Sequence, residues 1–204
     1  MAAFFLGTNP MYAQKTSKEI EKEIKSKPSK AAKKQAKAYK KDDYYTSPGL
    51  TMEKRIDNLM YKQLETNEDG TPKYMFAEAT AVGETQIAAQ IQAQEAAKLN
   101  LAGQIQTEVG ALIEQNIANA QLNTEEATSV TEITAAAKNL IAQSIGQVEP
   151  VLTLYKNIDK NIEVSITIAY DKNAIKEQAK ETVRKSLKEK TDILQEKLDV
   201  LMDF

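Results

Sequence analysis

Histidine, cysteine and tryptophan are all missing from this 204-residue chain. Imidazoles and thiolates are the usual ligands of zinc, copper, haem iron and iron–sulfur clusters, so no metal site of these kinds and no such cofactor is expected. A Ser–His or Cys–His nucleophile is excluded by composition alone. Without cysteine there is no disulfide framework and no N-terminal cysteine to carry a lipid. Aromatic residues make up only 6% of the chain, so its core must be built from aliphatics and alanine. No apolar run approaches the ~18 residues of a membrane-crossing helix. No glycine-rich phosphate loop appears either, since Gly103 and Gly110 fall inside a helical pattern and not after a strand.

What is present is an uneven charge. The net is −2, yet residues 15–41 hold eleven lysines against three glutamates, a local +8 that leaves −10 elsewhere. Ahead of this stretch, Ala2 to Gly7 form a short apolar run, followed by Pro10 and Met11-Tyr12-Ala13-Gln14. Residues 1–13 read as the end of a signal peptide cleaved after Ala13. Two features depart from that pattern: no basic stretch precedes the run, and Met11 is bulky. Residues 14–50 read as a Lys-rich arm, helical or disordered, interrupted by Pro28. Neither of its helical runs carries an apolar stripe wide enough to demand a core. The arm is expected to be a solvated tether; its functional use would be attachment to an anionic surface or an envelope protein. Nucleic acid is not expected as a partner, because the rest of the chain is acidic and shows no recognition motif.

After the Pro48-Gly49 turn, residues 51–66 predict a docking helix. Thr51 is its cap, and Met52, Ile56, Leu59, Met60 and Leu64 form its stripe. Residues 74–171 predict an α+β core domain. Tyr74 to Val82 read as a strand broken at Gly83. A long Ala-rich helix follows from about Glu84 to Gln121, with Ile87, Ile91, Leu101, Ile105, Val109, Leu112, Ile113 and Ile117 as its stripe. Thr124 is placed as the cap of a second helix that runs to Ile145 and ends at Gly146. Leu152 to Asn157, a turn at Ile158–Asn161, and strict alternation from Ile162 to Tyr170 predict a hairpin. Ile162, Val164, Ile166, Ile168 and Tyr170 line one apolar face; Glu163, Ser165, Thr167 and Ala169 line a wet one. The expected fold is therefore α+β, a small antiparallel sheet of about three strands on one long helix.

Residues 172–204 predict an amphipathic C-terminal helix. Leu187, Leu194 and Leu201 recur every seven residues, which raises a coiled-coil contact between subunits as one use of it and a cover for the sheet as another.

The segment Gln94 to Val109, an Ala-rich run leading into Leu101-Ala102-Gly103-Gln104-Ile105, resembles the signature helix of the LPP-twenty-type bacterial envelope lipoproteins. This family has relatives in the N-terminal domain of flagellar protein T. Asn161 to Tyr170 is similar to the family's closing strand. The resemblance covers roughly residues 74–180 and implies a strand–helix–strand–strand domain in the cell envelope, periplasmic or associated with the outer membrane, without enzyme activity. The lipid-bearing cysteine of the family is absent here, so lipid anchoring does not carry over.

Three classes of function follow. A structural or interaction role in the envelope fits the signal-like start, the basic arm and the amphipathic helices, with homo-oligomerisation through the helices as one form of it. A carrier of a small apolar or lipid ligand would use a cavity between sheet and helices. An enzyme would have to work with carboxylates and tyrosine. Glu78, Glu108, Glu114 and Tyr170 are the residues that such a cleft would gather, although no spacing selects a pair. No catalytic, cofactor-binding or metal site is expected.

Overall fold

The computed structural model describes residues 27–146, 148 and 150–203. The expected signal segment 1–13 and the first helical run of the arm lie outside them. The elements, in chain order, are α1 (Lys30–Lys41), α2 (Met52–Gln63), β1 (Tyr74–Gly83), α3 (Gln86–Ile117), α4 (Thr124–Ala136), α5 (Lys138–Ser144), β2 (Pro150–Ile158), β3 (Asn161–Asp171), α6 (Lys172–Lys190) and α7 (Gln195–Leu201). The fold is α+β, as the alternating and helical periodicities require.

The three strands form one antiparallel sheet in the order β1-β3-β2. β3 pairs with β1 from Tyr74↔Asp171 to Gly83↔Ile162, and with β2 up to Ile158↔Asn161. The hairpin closes through Asp159-Lys160, with Asp159 at a φ of 50°, a left-handed conformation that Asp tolerates. The outer edge of β1 is partly covered from α3. Asn100 and Gln104, one turn apart, donate their side-chain amides to the carbonyls of Glu78 (3.0 Å) and Phe76 (3.3 Å). An edge whose carbonyls are occupied is a poorer template for another strand.

α3 crosses the sheet on its small residues. Ala89, Ala93, Ala97, Leu101, Ile105, Val109 and Ile113 are buried in one core with Val164, Ile166 and Ile168. Ile87 and Ile91 belong to a different face and are exposed, contrary to the predicted stripe. The reason is distance. A Cβ on Gly83 would lie 2.9 Å from the Ala89 backbone nitrogen, so β1 and the start of α3 are too close for isoleucine between them. α4, α5, α6 and α7 then cover the far side of α3, and Ile175, Leu187, Leu198 and Leu201 join the same core. That core extends past the expected boundary at residue 171.

Three further expectations are corrected. The second helix is two: α4 and α5 break at Ala137, and the cap is Asn123, not Thr124. Asn123 and Glu126 form a capping box, which satisfies two amide groups that Thr124 alone would not. The C-terminal segment is not one helix. Thr191 turns its hydroxyl onto the Leu187 carbonyl (2.7 Å) and takes an extended backbone, and α7 folds back against α3. Arg184 pairs with Asp199 across this bend, and Lys197 binds Glu126 at 2.7 Å. Leu187 and Leu201 are therefore fully buried inside one chain while Leu194 is 64% exposed, so the three do not form a seam.

The last correction concerns the second face of the sheet. It is covered by α2, with Met52, Ile56 and Leu59 against Leu152 and Leu154, and α1 packs on α2 through Ala32 and Ala36. Ser165 and Thr167 are buried, and the predicted wet face is solvated only toward β1, at Glu78, Thr80 and Val82. The basic arm from Lys30 onward is thus a docked element and not a tether.

Candidate functional site

α1 is twelve residues long, and six of them are lysine: Lys30, Lys33, Lys34, Lys37, Lys40 and Lys41. It contains no acidic residue. At 100° per residue the six lysines fall within an arc of about 120°. All six are exposed, whereas Ala32 and Ala36, which flank this arc, are fully buried. Among the described residues Lys40 is the one lysine of this helix in an ion pair, with Glu53 at 2.6 Å. That hydrogen bond holds the Glu53 carboxyl below the usual carboxylate range.

Such a helix opposes its own charge. Lys30 and Lys34, Lys33 and Lys37, and Lys37 and Lys41 are four residues apart, and each like-charge pair costs about 0.2–0.5 kcal/mol. Local chemistry offsets this at both ends. Ser29 caps the N-terminus, accepting the Ala32 amide, and Lys40 and Lys41 suit the negative end of the helix dipole. Beneath the N-cap sits a buried pair on α2, Lys54 and Asp57, 3.6 Å apart and each less than 5% exposed. Asp57 also accepts the backbone amide of Ser29 at 3.0 Å, which fastens the start of α1 to α2.

The connection after α1 is held by tyrosines. Tyr44 donates to Glu163 on β3. This bond, together with burial, pushes the Tyr44 phenol up to about 12. Tyr45 pairs with Tyr155 as a short bridge on the edge of β2, through backbone bonds of 2.8 and 2.9 Å, and the two rings stack. The lysine stripe is therefore carried on a helix fixed at both ends.

The four residues singled out for acid–base chemistry do not meet. Glu78 lies on the α2 side of the sheet, where Ser165 donates to it at 2.9 Å. Tyr170 lies on the α3 side and donates to Gln178. Glu108 pairs with Lys172 at 3.2 Å, and Glu114 borders a small groove beside Gly110 and Thr131. Among the described residues no group of three or more carboxylates is placed to hold a metal ion. A groove of about 620 Å³ follows α6, bordered by Ser144, Gln178, Thr182, Lys185, Lys188 and Gln195. The side chains that border it are polar or charged by type, with their aliphatic stems supplying much of its wall.

The lysine run was visible in the sequence, but the docking of the helix that carries it was not. Its signal is the Ala32–Ala36 spacing of one turn, which fits a close helix crossing as well as it fits a solvated Lys/Ala helix. No family model, no curated protein and no solved structure matches the chain.

Proposed function

We propose that this chain is a non-enzymatic, exported envelope protein that holds an anionic partner through the lysine stripe of α1. The observation that carries this reading is the fixed concentration of six exposed lysines on a helix without a single carboxylate. A solvated tether needs neither the Asp57–Ser29 fastening nor the tyrosine contacts. A protein with net charge −2 that gathers its cations on one docked face has a local field of the opposite sign to its average. Two further supports come from the sequence. Residues 1–13 have the character of a signal segment, and the LPP-twenty resemblance of residues 74–180 implies an envelope setting.

The test uses immobilised heparin as a polyanion probe. The full chain is expected to be retained at about 0.1 M salt and released as screening shortens the Debye length. The double substitution Lys33→Glu and Lys37→Glu is expected to remove most of the retention. Lys160→Glu, in the exposed hairpin turn, is expected to leave it unchanged. Equal retention of all three proteins, or none at any salt, contradicts the reading.

A further inference from the structure

We infer that the anionic partner is a phospholipid bilayer surface, entered by Tyr61 of α2 and its C-cap residue Leu64 while the α1 lysines bind its headgroups. This rests on the reading of α1 as an anion-binding face and names its partner. Tyr61 and Leu64 are 60% and 77% exposed, among the most exposed large apolar side chains of the described residues. On α2 they fall about 40° and 20° from Asp57 around the helix axis. Asp57 is the residue tied to Ser29, so the pair extends from the point where α1 begins. Leu64 lies about 10 Å from Asp57 in the direction of the helix axis. The side of α2 that meets the sheet is the opposite one, that of Met52, Ile56 and Leu59.

The α1–α2 layer thus carries a cationic stripe on α1 and an exposed tyrosine and leucine at the end of α2. Lys62 and Lys73, both stacked on the Tyr74 ring, add cations next to Tyr61. Three carboxylates of this layer are engaged, Glu65 with Lys73 at 3.4 Å, Glu53 with Lys40, and Asp57 buried with Lys54, while Asp42, Asp43 and Glu68 are exposed at its margins. A polysaccharide or a nucleic acid satisfies lysines but offers nothing to Leu64. An anionic bilayer satisfies both, because headgroups attract the lysines and the acyl boundary takes the apolar side chains, with tyrosine at the level between them.

The absence of tryptophan makes the test direct, since Tyr61→Trp introduces a single indole into the full chain. Vesicles of phosphatidylcholine with added phosphatidylglycerol are expected to pellet the protein. They are also expected to shift the indole emission to shorter wavelength and to quench it when the lipid chains are brominated. Pure phosphatidylcholine vesicles are expected to do neither. Lys33→Glu with Lys37→Glu should weaken vesicle binding by about 30-fold or more, and Leu64→Ala by about tenfold. Circular dichroism of each variant should match the parent, as the altered side chains are exposed. Vesicle binding that leaves the indole emission unmoved, or is indifferent to Leu64→Ala, overturns the inference. Retention on heparin without any vesicle binding also overturns it while the anion-binding reading stands. Failure on both probes removes the two together.

Discussion

Replacing Asp57 by alanine is expected to lower the stability of the α1–α2 layer by about 3–5 kcal/mol. The carboxylate is 2% exposed, faces Lys54 at 3.6 Å and accepts the Ser29 amide that starts α1. Removing it takes one carboxylate away from the buried Lys54 ammonium and the acceptor from the amide that starts α1 in one step. Burial alone would raise the Asp57 carboxyl. The Ser29 amide and hydroxyl, with the Lys54 ammonium, outweigh it and hold the group below the ordinary aspartate value. The folded pKa is thus lower than the unfolded one. The stabilisation is complete above a pH of about 4 and is lost as pH falls through the folded value. Urea unfolding should show the loss as a lowered midpoint or as a separate early transition, and the difference between parent and variant should shrink in acid. The double substitution Lys54→Met with Asp57→Leu should recover part of the stability, because it removes the buried charge along with its partner but not the loss of the acceptor for the Ser29 amide. If Asp57→Ala unfolds like the parent at neutral pH, α1 is not fastened as described.

The second large effect separates two accounts of the C-terminal leucines. Leu187→Ala and Leu201→Ala are each expected to cost about 2–5 kcal/mol, since both side chains are fully buried and their removal leaves a cavity. Leu194→Ala is expected to change stability by less than about 0.5 kcal/mol, because that residue is 64% exposed at the bend before α7. A coiled coil between subunits would make all three costly and the unfolding midpoint dependent on protein concentration. Urea denaturation at two protein concentrations decides the matter. Equal losses at the three sites would return the heptad to an interface.

These two predictions also mark where the sequence was legible. The β3 alternation gave both the strand and its apolar face, since Val164, Ile166 and Ile168 have nowhere else to go. Thr51 capped its helix as expected, accepting the Lys54 amide at 3.3 Å, and the β1 strand stopped at Gly83. Two of the misses share a physical cause, which is that alanine is silent. Ala89, Ala93 and Ala97 carry the close contact of α3 with the sheet, yet Ile87 and Ile91 carry the stronger hydropathy and point to solvent. Ala32 and Ala36 dock α1 in the same way. The bend at Thr191 has no glycine or proline to announce it, and depends instead on a threonine hydroxyl and on tertiary partners such as Arg184 with Asp199. The buried Lys54–Asp57 pair carries no signal of its burial in the sequence, because a spacing of three residues is equally common on solvated helix faces.

The candidate site was half visible for the same reason. Lysine counts locate the charge, whereas only the packing of α1 on α2 shows that the charge is held on one face. A carboxylate cleft was conceivable from residue types, yet Glu78 and Tyr170 lie on opposite sides of the sheet.

The most direct measurement is fractionation of the native host, with the mature N-terminus read by mass spectrometry, for the parent and for Lys33→Glu with Lys37→Glu. The account predicts a parent protein that begins at Gln14, pellets with the envelope and is released by about 1 M salt, where the Debye length falls to about 3 Å. It predicts a charge-reversed variant that is exported but stays in the soluble envelope fraction. A parent protein found in the cytoplasm with Met1 retained would contradict the exported envelope role. A variant that pellets as firmly as the parent would contradict the part assigned to the lysine stripe.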